Sequence, residues 1–360
     1  MLSRCRTSDK DDSMQVGVFT VGSDAPGLNA VIRAVVRTAT LRYQADVCGI
    51  GDGFSGLLQP PAFWALSPAD VRGLSRRGGT ILGCNRDNPF DIGGRDRSDE
   101  VLETIRWLGL DGVICIGGEG SLVIAHRLAE KGVPLVAIPK TVENDTAGTA
   151  VTFGYSTAVD LAVSAIDMLQ TTSEVDHRVM YLEVIGRRAG WIALNSALAG
   201  GADVALVPEI PYRVEHVAAT VEARRAAGKR NTIVVVAEGA RAEGEAAGEV
   251  AEGAAERVAA AVAELTPEIS YRVSALGHLQ RGGDPNAHDR FLAARFGAAA
   301  VRAVVEGRFG QLVGVRAGQT ELVPLGEVVE RVRVLEPEGP ALWTARSLGL
   351  NFGDGVVASG

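Results

Sequence analysis

The sequence predicts an α/β fold with mainly parallel sheets and helices on both faces, because three patterns recur along the chain. Short apolar segments of strand length alternate with amphipathic segments of helix length, which is typical of βα units. Many of the 44 glycines stand directly after the apolar segments, where a strand would turn into a helix. Arginine, glutamate or histidine accompanies these glycines, as expected where strand ends bind ligands.

Taken in order, the apolar segments predict strands at residues 15–21, 46–50, 113–116, 135–138, 178–185, 203–207, 231–237, 271–276 and 312–315. The periodic segments predict helices at residues 30–41, 68–74, 98–108, 122–131, 157–170, 192–198, 213–227, 289–306 and 325–332, and one more that ends at residue 265. Glycine-rich or polar composition predicts loops at residues 51–56 and 241–253 and an irregular C-terminal tail.

Composition restricts the class of protein. A chain of 360 residues suits about two domains, and a net charge of −8 argues against a nucleic-acid partner. No apolar run reaches the roughly 18 residues of a membrane span, and residues 1–13 lack a signal-peptide core. Cys5, Cys48, Cys84 and Cys115 form no CxxC pair, which predicts reduced thiols in a cytoplasmic protein.

Residues 112–145 contain the most informative pattern. A predicted strand runs into Gly117 and Gly118, a helix follows, and the next strand opens into a polar loop. Glycines let backbone N–H groups approach a phosphate, and a helix N-terminus favours an anion. Glu119, Glu143 and Asp145 add carboxylates that could hold Mg²⁺ or accept a proton. The alternative interpretation is a pair of ordinary polar βα loops.

Other predicted strand ends carry basic residues suited to binding anions. They are the Gly186 and Arg187 turn and the turn with His278 and Arg281. The loop ending at Arg86 also joins glycines with arginines, and the Gly22 turn is a second glycine turn that leads into a helix N-terminus. Arginine suits phosphate because its donors form a fork. The alternatives are solvated arginines and a structural histidine.

Six sequence runs together are more specific than any single loop. They are GVFTVGSDAPGLNAVIRAVVR (17–37), GGTILGCNR (78–86), GGEGS (117–121), PKTVEND (139–145), EVIGRRAG (183–190) and RVSALGHLQRGGDPNAHDR (272–290). With these runs in order, the chain resembles the phosphofructokinase family over residues 16–352, in particular the bacterial ATP-dependent members with GGEG.

The resemblance implies two Rossmann-like lobes. The larger, nucleotide-binding lobe would comprise residues 15–154 and 281–328, and the smaller, sugar-phosphate lobe residues 155–280 and 329–360, after a disordered tail at residues 1–14. The sugar phosphate would lie in the cleft. ATP, Mg²⁺ and a homo-oligomer, a dimer or tetramer with shared sites, are implied as well.

The resemblance also implies roles for residues at matching positions. Nucleotide-binding positions are Gly22, Ser23, Arg86, Gly118, Gly120 and Ser121, and Glu119 matches the acidic residue associated with Mg²⁺. Glu143 matches the carboxylate that deprotonates the acceptor hydroxyl, and Thr141, Asp145 and Arg187 complete the catalytic group. Sugar-phosphate positions are Arg178, Ile185, Gly186, Glu238, Arg272, His278 and Arg281, of which Arg178 and Arg272 would come from a neighbouring subunit.

Several positions bear on the donor, the acceptor and regulation. Gly120 leaves room for a nucleotide α-phosphate where pyrophosphate-using relatives carry aspartate, which favours ATP, although Lys140 occurs in users of either donor. Glu143 replaces the usual aspartate, Ser23 a glycine and Ile185 a methionine, all at the reacting end. Arg33 and Arg37 match effector-site arginines, whereas Gln170 stands in place of another.

The three substitutions leave several functions open. The default is phosphoryl transfer from ATP to fructose 6-phosphate. The alternatives are another ketose phosphate such as allulose 6-phosphate, another hydroxyl, pyrophosphoryl transfer releasing AMP, or a non-catalytic binding protein.

Overall fold

A computed structural model of the protein describes residues 5, 13–245 and 253–356. The chain divides into two compact units. The first comprises Met1–Val142, Thr146–Ser156 and Gly282–Arg331, and the second comprises Glu143–Asp145, Thr157–Arg281 and Val332–Gly360. The predicted disordered tail lies outside the described residues except for residues 5, 13 and 14, as does most of the predicted loop at 241–253.

Strands and helices alternate through the described part of the chain. The strands are β1 (Gln15–Thr20), β2 (Asp46–Ile50), β3 (Phe63–Leu66), β4 (Gly112–Gly117), β5 (Leu135–Thr141), β6 (Phe153–Gly154), β7 (Val179–Val184), β8 (Val204–Leu206), β9 (Thr232–Ala237), β10 (Tyr271–Ala275), β11 (Gln311–Arg316) and β12 (Gln319–Pro324). The α-helices are α1 (Leu28–Tyr43), α2 (Ser98–Leu108), α3 (Glu119–Glu130), α4 (Tyr155–Asp176), α5 (Trp191–Gly200), α6 (Val214–Ala226), α7 (Ala254–Leu265), α8 (Ala287–Val305), α9 (Leu325–Val328) and α10 (Pro340–Ser347).

The first unit contains a sheet in the order β12-β11-β5-β4-β1-β2-β3, with β6 paired to β5. The pairs from β11 to β2 are parallel, whereas the edge strands β3 and β12 run antiparallel to their neighbours. The mainly parallel α/β prediction is therefore confirmed. The carboxyl ends of β1, β4 and β5 lie side by side at one edge of this sheet, which brings their loops together.

Helices cover both faces of this sheet because its buried strands alternate side chains between two apolar clusters. Val18, Ile114 and Ile138 pack with α1 and α8, while Phe19 and Cys115 face α2 and α3. Helices α1 and α8 approach closely at Gly297, where an added Cβ would lie 2.6 Å from the Cβ of Ala34.

The second unit contains a parallel sheet in the order β10-β7-β9-β8. Alternate residues of β7, β8 and β9 pack against α6 and α7. Helix α5 packs on β8 and β9. Asn351 near the C-terminus extends this sheet by a parallel bridge to Val204.

Four local predictions are wrong. Residues 68–74 form turns that lead into a short 3₁₀ helix, Leu74–Arg76, because Gly73 has a φ of +80° and Asp70 accepts bonds from the N–H and hydroxyl of Ser67. The predicted loop at 51–56 is largely a 3₁₀ helix, Gly53–Leu57. The helix predicted at 325–332 ends at Val328, and the predicted irregular tail contains α10.

The prediction of four reduced thiols is also wrong. Cys5 and Cys48 form a disulfide with a Cα–Cα distance of 5.6 Å, 43 residues apart in sequence. The side-chain amide of Gln15, at the start of β1, donates to the carbonyl of Cys5. Strand β1 pairs with β2, which contains Cys48, so this bond places Cys5 near its partner. The two cysteines meet only through the tertiary structure, so no spacing motif in the sequence predicts their pairing. Cys84 and Cys115 are free thiols.

Within the described residues, no helix combines the length and the apolar character that crossing a membrane requires.

Candidate active site

The first unit gathers glycines and two cations at the carboxyl ends of β1, β4 and β5. Gly22 follows β1 with a φ of +84°, and its N–H donates to the carbonyl of Asn85 at 2.7 Å. A Cβ added to Gly22 would lie 3.1 Å from Ser121 Oγ and 3.5 Å from Lys140 Nζ. Gly22, Ser121 and Lys140 therefore converge on one place, as a site for an anion requires.

Ser23 is bonded to both cations of this group. Arg86 Nη2 donates to Ser23 Oγ at 2.8 Å, and Lys140 Nζ donates to the carbonyl oxygen of Ser23. Lys140 is buried at the end of β5, so its ammonium is fixed by the strand and the turn together. A glycine at position 23 could not hold Arg86 in this way.

Helix α3 begins at Glu119, directly after Gly118. Gly118 approaches β5 closely, since an added Cβ would lie 3.2 Å from the carbonyl oxygen of Lys140. At Gly120 an added Cβ would meet nothing within 4 Å. The first turn of α3 thus presents an acidic residue, an open position and the positive end of the helix dipole.

The residues described contain no cluster of three or more His, Cys, Asp or Glu side chains able to hold a metal ion. Mg²⁺ commonly binds through one or two carboxylates together with water and phosphate oxygens. Half-buried Glu119, beside the open space at Gly120, fits that mode.

In the second unit, the Glu143 carboxylate contacts one backbone N–H and one guanidinium. Its Oε2 accepts the backbone N–H of Arg187 at 3.1 Å, and its Oε1 lies 3.6 Å from Arg281 Nη2. The side chains of Glu143 and Arg281 are 13% and 19% exposed. Arg187 Nε in turn donates to Glu238 Oε1 at 3.0 Å. The structure thus brings together four of the predicted residues, which we call the Glu143 cluster: Glu143, Arg187, Glu238 and Arg281.

The pKa of Glu143 is raised to about 7, chiefly by burial and then by the nearby carboxylate of Asp145. The Arg187 N–H and the Arg281 charge lower the pKa, and Glu238 raises it slightly. A carboxylate with a pKa near neutrality is a more effective general base than an exposed glutamate. Asp145 is itself buried, as is Thr141 at the end of β5.

The loops after β7 and β9 are joined by close backbone contact. Glu238 N–H donates to the carbonyl of Val184 at 2.9 Å, and Gly239 N–H donates to the carbonyl of Gly186 at 3.0 Å. A Cβ on Gly239 would overlap the backbone carbonyl of Arg187. Glycine at position 239 therefore allows the two loops that carry Arg187 and Glu238 to meet.

The turn after β10 carries His278, Gln280 and Arg281 on the 3₁₀ helix Gly277–Arg281. Gln280 is buried; its Oε1 accepts the N–H of Ile185 at 2.7 Å, and its Nε2 donates to the carbonyl of Ala158. Gln280 therefore fixes the turn against the end of β7. His278 is exposed, so its ring can reach a ligand in solvent.

Two predicted sugar-phosphate residues lie elsewhere in the second unit. Arg178 precedes β7, whereas Arg187 follows it. Because a six-residue strand spans about 20 Å, the two arginines lie at opposite ends of β7, far from each other. Arg272 is the second residue of β10 and is paired in register with Met180 near the start of β7. Neither arginine belongs to the Glu143 cluster.

Gln170, which the resemblance predicts to stand in place of an effector-site arginine, has a structural role. Its Nε2 donates to the carbonyls of Gly200 and Gly201 at 2.6 and 3.3 Å, at the C-terminus of α5. These carbonyls lack partners within the helix, so Gln170 caps α5.

Sequence reasoning missed Gln280, Trp191, Glu209 and Arg333, which hold the candidate site residues in place. The only usable signal was the position of Gln280 inside the GHLQRGG run. The others act through backbone groups or ring stacking and have no motif.

The comparisons with known proteins agree with this geometry. The phosphofructokinase family model matches residues 15–304. A Chloroflexus aggregans protein named ATP-dependent 6-phosphofructokinase is 47% identical over 353 residues, which cover 94% of this chain and 98% of that protein. A Spirochaeta thermophila protein of the same name is 42% identical over 358 residues, with the same two coverages.

The solved structure of phosphofructokinase from Saccharomyces cerevisiae matches with a TM-score of 0.78 and 30% identity, over 88% of this chain. The match spans 45% of the length of that yeast chain. The family model, the relatives and the fold agree, and the chain belongs to the phosphofructokinase family.

Proposed function

We propose that this protein transfers the γ-phosphoryl group of ATP to fructose 6-phosphate and releases ADP. The observation that carries this proposal is Glu143, a largely buried carboxylate with a pKa near 7 between the Arg187 N–H and the Arg281 guanidinium. This arrangement places a proton acceptor, Glu143, beside an N–H and a guanidinium that attract phosphate. The names of the relatives at 42–47% identity support the same donor and acceptor.

The first unit supplies the donor site. Arg86 and Lys140 would neutralise phosphate charge, and the backbone of Gly22, Ser23 and Gly118 would approach the phosphates closely. The open position at Gly120 leaves space for a nucleotide, beside Ser121. Glu119 would hold Mg²⁺, which neutralises developing negative charge on the phosphates when it is bound.

The second unit supplies the acceptor chemistry. Glu143 accepts the proton of the sugar hydroxyl as that oxygen bonds to the γ-phosphorus, and the bond from phosphorus to the ADP oxygen breaks in line. Arg187 stabilises the charge that develops on the transferred group, and Thr141 and Asp145 complete the catalytic group.

The remaining basic residues would bind the 6-phosphate and the sugar. The proposed set is Arg178, Ile185, Gly186, Glu238, Arg272, His278 and Arg281. Arg178 and Arg272 would serve a neighbouring copy in a dimer or tetramer, which accounts for their distance along the sheet from Glu143. We expect the enzyme to act in the cytoplasm, where ATP and sugar phosphates are made.

The test is an assay of purified protein with Mg-ATP and fructose 6-phosphate, in which ion exchange resolves the nucleotide products. We expect ADP and fructose bisphosphate in equal amounts. Glu143→Gln should lower kcat roughly 10²–10⁴-fold with ATP binding retained, because it removes the general base. Glu130→Gln, at an exposed position of α3, is the control and should change nothing. AMP as product, or turnover only with allulose 6-phosphate, would contradict the proposal.

A further inference from the structure

The tripeptide Glu143–Asp145 has a demanding backbone. Asn144 has a φ of +56°, in the left-handed region that residues other than glycine adopt uncommonly. Asn144 and Asp145 are 4% and 7% exposed, so their carbonyl oxygens need donors from the protein. Asparagine adopts this region more readily than most residues, and contacts from the surrounding chain would hold the backbone in this one conformation.

Arg333 supplies both donors. Its backbone N–H donates to the carbonyl of Asp145 at 2.7 Å, and its guanidinium Nη1 donates to the carbonyl of Asn144 at 3.1 Å. These two carbonyls directly follow Glu143 in the chain. One residue, 190 positions away in sequence from Glu143, therefore fixes the backbone on which Glu143 stands.

Trp191 holds the guanidinium of Arg333 in turn. The carbon Cζ of Arg333 lies 3.8 Å from the centroid of the Trp191 ring, and Trp191 Nε1 donates to the carbonyl of Arg333 at 3.0 Å. Trp191 therefore contacts Arg333 at both ends: its ring stacks on the guanidinium, and its indole N–H binds the backbone carbonyl.

Trp191 connects this contact to the other side of Glu143. It begins α5, and the loop before it carries Arg187, whose N–H donates to Glu143 Oε2. Glu209 fastens the same two segments, because its carboxylate accepts the N–H of Gly190 at 3.0 Å and the N–H of Leu335 at 2.8 Å. The contacts form a closed ring through Glu143, Arg187, Trp191 and Arg333.

From this ring we infer that Arg333 is a positioning residue for the reaction, one that fixes the backbone of Glu143–Asp145 and thereby the direction of the Glu143 carboxylate. The inference rests on the proposed function for its catalytic consequence. Its structural content, that Arg333 orders this tripeptide, stands apart from the identity of the substrate.

The experiment compares Arg333→Met, which keeps an unbranched side chain and removes the guanidinium, with Arg331→Met, an exposed neighbour. A displacement of about 1 Å at a catalytic group costs up to roughly 100-fold. We therefore expect Arg333→Met to lower kcat about 10–100-fold, with the KM values for ATP and fructose 6-phosphate within about twofold. Arg331→Met should match the wild type.

A purely structural anchor would lower thermal stability and the active fraction but leave kcat per folded enzyme unchanged, and that result would overturn the inference. The Glu143→Gln background gives a second check. If Arg333 acts through Glu143, Arg333→Met should add little to the loss already caused by Glu143→Gln. A full multiplicative loss in the double variant would mean that Arg333 acts elsewhere.

Hydrogen exchange separates this inference from the proposed function. The amides of Asn144, Asp145 and Thr146 should exchange at least about tenfold faster in Arg333→Met than in Arg331→Met, whatever the substrate. Unchanged exchange would refute the positioning role, whereas an inactive wild type with the expected exchange would refute only the proposed function. If Arg333→Met does not fold, Arg333→Lys keeps the charge, lacks the planar fork, and should show the same changes at smaller size.

Discussion

The ionisation of Glu143 depends on the charged groups around it. Burial and Asp145 raise its pKa to about 7, with a smaller rise from Glu238, while the Arg187 N–H and Arg281 lower it. A general base must be ionised to accept a proton, so kcat/KM should rise with pH and reach half its maximum near pH 7.

Replacing Arg281 should move this pH dependence upward. Arg281→Met removes a positive charge 3.6 Å from Glu143 Oε1. Because this charge stabilises the ionised form of Glu143 over the protonated form, its loss raises the pKa of Glu143. The acidic limb of kcat/KM should then shift to a midpoint above 7, in addition to any change in KM for the sugar phosphate. Arg302→Met, at a position of α8 that is 59% exposed, is the control. A midpoint that stays at 7 or falls would show that Arg281 does not govern the ionisation.

Residues of the site differed in how far sequence could predict them. Arg187, Glu238 and Arg281 follow β7, β9 and β10, which are neighbouring parallel strands whose carboxyl ends meet, so their proximity follows from the pattern. Glu143 follows β5, a strand of the other sheet, so strand adjacency does not predict its contact with Arg187. Arg333 contributes a backbone N–H, a stacked guanidinium and a carbonyl. Such contacts require no characteristic spacing of residues in the sequence, so no sequence pattern predicts them.

Among the elements, the first turn of α3 is where we propose that the choice of donor is made. Gly120 is exposed and an added Cβ would meet nothing within 4 Å, so a larger side chain can be accommodated without disturbing the fold. An aspartate there would place a carboxylate beside Glu119 and against the phosphates of the nucleotide. It would also favour folding, because acidic residues stabilise helix N-termini.

Gly120→Asp and Gly120→Asn separate charge from size. We expect Gly120→Asp to raise the KM for ATP more than about tenfold through repulsion of like charges, while thermal stability stays unchanged or rises. The neutral isostere Gly120→Asn should raise this KM by less than about threefold. Equal losses in both variants would mean that space rather than charge limits the donor site.

Elements that are buried on both faces were the ones the sequence predicted well. Strands β1, β4 and β5 are fully buried and read as continuous apolar runs. The antiparallel edge strands β3 and β12 were missed, because most of their residues are half-buried or exposed and so they lack a continuous apolar run. Residues 68–74 had helical composition, but Gly73 and the Ser67–Asp70 turn favour another backbone.

At the scale of the whole molecule, each of the two units has its own sheet and its own apolar core. The candidate donor groups lie in the first unit and the Glu143 cluster lies in the second. A ligand stabilises the structure that it contacts by mass action, by about 2.7 kcal/mol at 100 times its Kd. The two substrates should therefore protect different parts of the chain.

Hydrogen exchange with each substrate alone tests this division. Mg-ADP at 100 times its Kd should slow exchange up to about 100-fold in peptides containing Gly22, Arg86 and Ser121. Fructose 6-phosphate should instead protect peptides with Glu143, Arg187 and His278, and any effect on the Gly22 peptide should be small. Glucose 6-phosphate at the same concentration is the control for a non-specific sugar phosphate. Protection of the Gly22 and Arg86 peptides by fructose 6-phosphate alone would contradict the assignment, because the acceptor would then bind through the loops that we attribute to the nucleotide.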